Sequence, residues 1–536
     1  MSLESLDLCG NQFFGALPDH TKFSCLRKVI LCWNQLNGFL PQSLGQPSSL
    51  EVLDLGYNHI SGSLPGLKVH SSLIELYLTR NQLKRLPEGI WQHSKLEIFL
   101  AASNLLEGTI TEAQLSNLAN LKCLDLSFNY LTLNLSSDWD PPFQLNDIFL
   151  SHCNMGPHFP KWLQTQNSYV NLDISVAGIS DVVPNWFWNM SFGRYLNISH
   201  NQMRGKIPEV SKDLFPKIAD LSHNNFSSPI PIFVFQSEIL SISKNMFSRS
   251  IYYVCKIPND FFASILDLSD NQLSRKLPNC WKSLTNLIIL NLANNHFRGK
   301  IPNTIGALYQ LQTLHLRNNN IMGKLPSSLK NCTALRMIDL GENKLTGDIP
   351  AWIGTHLTRL AGLSLRSNQF HGKISPTICH LVNIQILDLS INHISGKIPR
   401  RLNNFTSLVE KNSSIETIPI GEVFFERYVD NVLVQWKGKA IEYRKLGLLK
   451  GIDLSSNMLV GTIPQELSDM KGLIFLNLSR NHLTRNIISS IGQMEMLEWL
   501  DLSKNQLSGE IPTGLANLNY LSILDLSYNN LTGKFQ

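Results

Sequence analysis

Charge is scarce in this sequence and almost balanced. Lys and Arg number 46 and Asp and Glu 41 among 536 residues, a formal net charge of +5, and charged residues make up 16%, against about 25% in typical soluble domains. So small an excess excludes the electrostatic footprint of a nucleic-acid binder. No apolar run approaches the roughly 18 residues of a membrane-crossing helix. No basic n-region with an apolar h-region opens the chain. The 32 Gly and 24 Pro are too few for a collagen-like or low-complexity chain. Catalytic signatures are missing too. The 15 His are scattered, with no H-E-x-x-H and no metal-ligand spacing. No G-x-S-x-G, phosphate-cradling Gly loop or kinase motif occurs. These absences argue against an enzyme and against a metal or other cofactor.

What is present is asparagine and apolar bulk. There are 50 Asn, and 43% of residues are hydrophobic, enough to bury a large core and exclude disorder. The nine-residue frame Leu50-Glu51-Val52-Leu53-Asp54-Leu55-Gly56-Tyr57-Asn58, followed by Gly62 and Pro65, returns at Leu311 to Asn319 and at Leu497 to Asn505. Registered on the Asn, the series runs 11, 34, 58, 81, 104, 129, 153, 177, 201, 224, 245, 271, 295, 319, 343, 368, 392, 457, 481, 505, 529. Spacings are 21 to 26 residues apart from one jump of 65. Nineteen of the 21 registers carry Asn, Cys153 and Ala177 being the exceptions; chance would give about two. Pro lies seven residues on in 14 registers, including Pro160 and Pro184 after the two exceptions.

The pattern resembles the leucine-rich repeat in its plant form, which implies an α/β repeat fold: a curved, twisted solenoid of about 21 turns with short parallel strands on the concave face. The frame has a physical reading. Leu53 and Leu55 point inward one pleat apart, and a single turn must stack on neighbours to bury them. The Asn amide can satisfy backbone groups left open where the chain leaves the strand. Gly62 permits positive φ, and Pro65 presets φ. The Asp residues at 54, 125, 173, 267, 339, 388, 453, 501 and 525 occupy a consensus slot and read as structural rather than as a catalytic ladder.

The 65-residue jump holds a stretch outside the frame. Residues 1–402 read as repeats 1–17, 403–446 as an island and 447–536 as repeats 18–21. Within the island, Val423–Tyr428 and Val432–Trp436 read as two strands, with a turn at Lys437-Gly438-Lys439. Seventeen repeats, an island and four repeats, with wording such as Leu325-Pro326-Ser327-Ser328-Leu329 and Ile452-Asp453-Leu454-Ser455-Ser456-Asn457, resemble plant leucine-rich-repeat receptor-like proteins, most of all the group that perceives fungal xylanase and related microbial hydrolases. Many of that group carry Lys-x5-Tyr in the island, and Lys437 and Tyr443 fit it. The resemblance implies the extracellular side of the plasma membrane, a protein or peptide ligand, a SERK-type co-receptor kinase and a leucine-rich-repeat adaptor kinase. Such receptors carry a signal peptide, caps and a transmembrane helix that this chain lacks, so it reads as part of an ectodomain, with membrane attachment only through those segments.

Nine Cys leave at least one without an intramolecular partner. Cys255 and Cys280 lie one repeat apart and could bridge adjacent turns; Cys280 fits an offset at which the family often has Cys, whereas Cys379 faces Arg401 at the matching offset. Cys9 and Cys32 share a column and are read as either a bridge or buried thiols. Nine N-x-[ST] sequons, at Asn134, Asn189, Asn197, Asn225, Asn331, Asn404, Asn412, Asn477 and Asn530, are glycosylation candidates, with Asn197 and Asn477 on the concave strand.

Recognition is read from slots that break the polar consensus. Ile30, Tyr77, Leu100, Phe149 and His315 replace Asp, Asn or Ser mid-frame, and Trp33, Tyr57, Arg80, Phe128 and His152 flank them. They make an aromatic and aliphatic stripe over the first seven repeats. His315, Arg317, Arg336 and Arg366 make a basic strip over repeats 14 to 16, read first as a solvated charged face and second as a binding surface. The leading expectation is a receptor ectodomain for defence signalling. The alternatives are a secreted hydrolase inhibitor of the polygalacturonase-inhibitor kind, whose relatives have no island, and a developmental peptide receptor.

Overall fold

Each repeat begins with a three-residue parallel strand whose middle side chain enters the core. The computed structural model describes residues 3–17, 25–42, 49–66, 72–167, 169–210, 215–256, 263–411 and 449–533, and the backbone of Val432–Trp436 and Lys439–Tyr443. The chain divides into two units, Met1–Phe247 and Ser248–Gln536. In the first, eleven strands from Ser5–Asp7 to Ile239–Ser241 pair in order, aligning Leu6, Val29, Leu53, Leu76 and Phe99 in one inward column. In the second, ten strands run from Ile265–Asp267 to Ile523–Asp525. Each unit is the repeat solenoid that the spacing predicts. Return segments are short helical turns, often opened by Pro, such as Asn303–Ala307 after Pro302 at φ −73°. Among the described residues no helical element exceeds five residues.

The register Asn ties each turn to the one before it. Asn58 Nδ2 donates to the carbonyls of Leu31, Leu55 and Gly56 at 3.0, 3.1 and 3.1 Å, and its Oδ1 accepts the Leu36 N–H at 3.0 Å. The two exceptions are compensated. Cys153 Sγ donates to Leu126 O at 3.2 Å, the carbonyl an Asn would reach. At Ala177 the backbone substitutes: its carbonyl accepts the N–H groups of Met155 and Gly156 at 2.9 and 3.0 Å. Gly156 is required there, because a Cβ would lie 1.8 Å from Gly178 O.

A second column was invisible in the sequence. The residue before every register position is left-handed: φ is +71° at Gly10 and lies between +50° and +61° at the other 20, from Trp33 to Tyr528. Twenty non-glycine residues in that region each cost on the order of 1 kcal/mol, so the hydrogen bonds of each turn, from Asn or from its substitutes at Cys153 and Ala177, must over-determine the bend. The Asp slot is structural as read: Asp54, Asp125 and Asp173 each accept, through Oδ1, the N–H two residues on at 2.9 to 3.0 Å. Where Asn takes the slot, at Asn197 and Asn477, it does the same.

Strand Ile386–Asp388 pairs directly with Gly451–Asp453 across the long jump. Between them Arg400–Asn404 and Thr406–Val409 are helical turns, with Leu402 and Leu408 buried. Val432–Trp436 and Lys439–Tyr443 form an antiparallel hairpin in which Lys439 pairs with Trp436. Lys439 thus belongs to a strand and not to the turn read from the sequence, and Val423–Tyr428 lies outside the described residues.

Candidate functional site

Outward positions on the ladder are where side chains can meet a partner, and the left-handed column forms their rim. In the first unit the rim is paired. Trp33, 58% exposed, stacks on Tyr57 with centroids 3.8 Å apart, and Arg80 lies 5.4 Å over the same Tyr57 ring. Phe128, 54% exposed, stacks on His152 at 4.4 Å. His200 and His223 stack at 3.8 Å. The left-handed backbone throws these side chains to the same side in successive turns, about 4.8 Å apart, which is ring-stacking distance. Sequence reasoning found Trp33, Tyr57 and Phe128 but not the His200–His223 pair, whose signal is its position before Asn201 and Asn224.

The mid-strand residues sit lower. Tyr77, Leu100 and Phe149 are half-buried. Tyr77 Oη donates to Glu75 Oε2 at 2.8 Å, and burial, reinforced by Glu75, raises its pKa. Phe149 lies 6.4 Å from Tyr195, and Tyr195 Oη donates to Asp173 Oδ2 at 3.1 Å. Cys123 faces the same side, its thiol pushed up to about 12 by burial and by Asp147 and Asp125, so it is a weak nucleophile.

In the second unit the outward positions are buried over the strands from Thr313–His315 to Phe475–Asn477. Thr313, Met337, Asp339, Ser364, Ile386, Asp388, Asp453 and Phe475 are all buried, whereas strands of the first unit leave their outer residues mostly half-exposed. His315 is only 4% exposed, which corrects its placement on an accessible strip. It lies between Asn291 and Asp339 on adjoining strands, within this covered stretch. Arg336 is half-buried. Arg317 Nε donates to Glu342 Oε1 at 3.2 Å. Arg366 Nη1 donates to Ser390 Oγ at 2.8 Å and lies 3.7 and 3.6 Å from the carboxylates of Asp388 and Asp453. Burial pushes both carboxyls up, Asp453 further through Asp388, while Arg366 opposes the shift. Two members of the basic strip, Arg317 and Arg366, are thus held in ion pairs. Beside it Met337, Ile386, Leu449, Phe475 and Trp499 form an apolar cluster. Gly362 and Gly451 make room for it: a Cβ would meet Met337 Sδ at 2.2 Å or Phe475 Cε1 at 1.7 Å. Lys450, almost fully buried, donates through Nζ to the Glu410 carbonyl, joining the two ends of the excursion.

Lys437 lies outside the described residues, as does the side chain of Tyr443. Cys255 is bonded to Cys280 and Cys9 to Cys32; Cys379 is a buried free thiol. Sequons at Asn134, Asn189, Asn225, Asn331, Asn404 and Asn530 are exposed. Asn197 is half-buried and donates to Asp173 at 3.1 Å. Asn477 is buried, and Asn412 lies outside the described residues. Among the described residues no group of three or more His, Cys, Asp or Glu could hold a metal, and no helix is long and apolar enough to cross a membrane.

Leucine-rich-repeat family models match residues 309–370 and seven further stretches, from 2–22 to 496–518. The chain is 49% identical over 506 residues to receptor-like protein EIX2 of Solanum lycopersicum, covering 88% of this chain and 49% of that protein. Receptor-like protein EIX1 of the same species is 47% identical over the same coverage. The chain thus spans about half the length of these curated relatives. Among solved structures, the Arabidopsis receptor kinase HAESA in complex with the peptide hormone IDA and the co-receptor SERK1 superposes with a TM-score of 0.71 at 30% identity, covering 100% of this chain and 83% of that one.

Proposed function

The chain belongs to the plant leucine-rich-repeat receptor-like proteins, and on that premise we propose that it is a ligand-recognising ectodomain, binding a protein or peptide elicitor on its parallel ladder and recruiting partner receptor kinases for defence signalling. Its relatives are recognition proteins and not enzymes. The observation that carries the reading is the rim of the first unit, where Trp33, Tyr57 with Arg80, and Phe128 with His152 stand as stacked aromatic groups beside the outward strand positions. Exposed, pre-ordered rings with little rotamer freedom to lose are what protein-binding hot spots are made of.

A fungal xylanase or similar microbial hydrolase is the ligand class, by similarity to the xylanase-perceiving receptors. Tyr77, Leu100 and Phe149 form the floor of the first-unit face, with Arg336 at the margin of the second. A SERK-type co-receptor and an adaptor kinase are the partners, and the site of action is the outer side of the plasma membrane; the HAESA neighbour, bound to a peptide hormone and to SERK1, supports partners of that kind. Segment 403–446 serves as the docking element for the co-receptor, with Lys437 and Tyr443 in contact.

The test is a titration of the full chain with purified fungal xylanase. Trp33→Ala, Tyr57→Ala and Phe128→Ala together should weaken binding by roughly a hundredfold, the sum of two or three modest hot spots, with the unfolding midpoint unchanged. Equal binding by the triple variant would remove the rim from the mechanism.

A further inference from the structure

The second unit carries a row of lysines that the recognition face does not use. After the register Asn the chain forms a second short parallel strand, and these strands pair from Gln272–Lys276 through His296–Gly299, Asn320–Gly323, Lys344–Asp348 and Gln369–Lys373 to His393–Gly396. The position after the fourth residue of each strand is Lys276, Lys300, Lys324, Asp348, Lys373 and Lys397 in successive turns. All five lysines are exposed, and none forms an ion pair with a described residue. The one carboxylate in the row, Asp348, faces His371 at 3.4 Å. In a chain with a net charge of only +5, six five-residue segments here hold eight Lys or Arg against that single acid.

The row is built, not scattered. Each lysine stem lies along the glycine of the following turn: a Cβ at Gly299, Gly323, Gly347, Gly396 or Gly461 would sit 2.8 to 3.3 Å from Cγ of the preceding turn's lysine. The missing side chain is a slot that holds the stem and leaves the ammonium in solvent. Six turns at about 4.8 Å each place these charges along roughly 24 Å. Beside them Gln272, His296, Asn320, Gln369 and His393 stand exposed at the start of the same strands, a parallel row of amide and imidazole groups.

We propose that this face binds a linear carboxylated polysaccharide, a polyuronate, laid along the stacking direction. Five of the six positions present an ammonium to carboxylates spaced along such a chain, Asp348 being the exception, and the amide row supplies partners for hydroxyls. Ordering of the stems lowers the entropic cost of contact. The row positions carry lysine point charges, which suit isolated carboxylates, with Arg275 and Arg298 exposed beside them. The row also lacks the stacked aromatic platforms on which single-stranded nucleic acid would lie. The inference is independent of the elicitor reading, since it concerns the other sheet.

The test is retention of the full chain on immobilised polygalacturonate, with its fully methyl-esterified form, a single-stranded oligonucleotide and anionic phosphatidylserine vesicles as competing probes. Binding should be selective for the free acid and weaken as salt rises. Lys300→Gln, Lys324→Gln, Lys373→Gln and Lys397→Gln together should lower affinity about tenfold or more, and the pair Lys300→Gln with Lys324→Gln a few-fold. An equal charge loss at Lys84, Lys95, Lys217 and Lys330, all exposed elsewhere, should change little. Thermal unfolding of each variant separates a folding defect from lost binding, and the pair serves if the quadruple variant does not fold. No retention of the wild type, equal losses in both sets, or preference for the oligonucleotide or vesicles would overturn the proposal.

Discussion

At the scale of single residues, the stability of each turn rests on an amide at its register. Asn319 shows the full set: Nδ2 donates to the carbonyls of Leu292, Leu316 and Arg317 at 3.0, 3.1 and 3.2 Å, and Oδ1 accepts the Phe297 N–H at 2.9 Å. Asn319→Ala leaves these buried groups open and should cost about 1 to 3 kcal/mol, read by urea denaturation. Ala177→Ser should cost far less, because the backbone already serves that turn. Equal losses would contradict the role of the column. A second test concerns Arg366 between two carboxylates. Burial raises Asp388 and Asp453, so the folded chain keeps protons that the unfolded chain has released above about pH 4. Their contribution therefore falls as pH rises from there through the raised folded values. Arg366→Met should cost about 3 to 5 kcal/mol at pH 7.5 and much less at pH 5. Asp453→Asn should flatten that dependence and keep the turn, since Asn477 fills the same slot one turn on. A pH-independent loss in Arg366→Met would refute the charge argument.

At the scale of elements, the parallel strands and their order were legible because Leu, Asn, Gly and Pro recur at fixed offsets, and each offset answers one geometric demand of a closed turn. The left-handed rim was not, since its occupants range from Trp33 through Lys244 to Tyr528. That backbone state precedes Cys153 and Ala177 as well as every register Asn, so it belongs to the turn and leaves no residue preference to read. His315 and Arg366 were misjudged for a related reason: a repeat pattern tells which way a side chain points, but not what else covers it. The cue was small residues in outward slots. Gly362 and Gly451 have no consensus role, and each clears space for the side chain on the next strand. Gly451→Ala should drive a methyl into the Phe475 ring and cost about 1 to 3 kcal/mol, relieved in combination with Phe475→Leu. A neutral Gly451→Ala in equilibrium unfolding would show the apolar cluster to be loosely packed.

At the scale of the molecule, the proposed function assigns recognition to the first unit and partner recruitment to the second. The paired rim lies between Trp33 and His223, and the covered cluster lies between Met337 and Trp499, where the chain leaves and re-enters the repeat. In a receptor carrying this ectodomain, Lys437→Ala with Tyr443→Ala should reduce co-receptor pull-down in the presence of elicitor while ligand binding stays intact. Undiminished recruitment would take the excursion out of the mechanism. The most direct test of the central claim is hydrogen exchange on the full chain with and without saturating fungal xylanase. Protection should appear at the backbone of the rim turns, at Trp33, Asn34, Tyr57, Asn58 and Phe128, whose N–H groups donate to carbonyls of the next turn. Protection confined to the return segments, or none at all, would contradict the assignment of the first-unit ladder as the recognition surface.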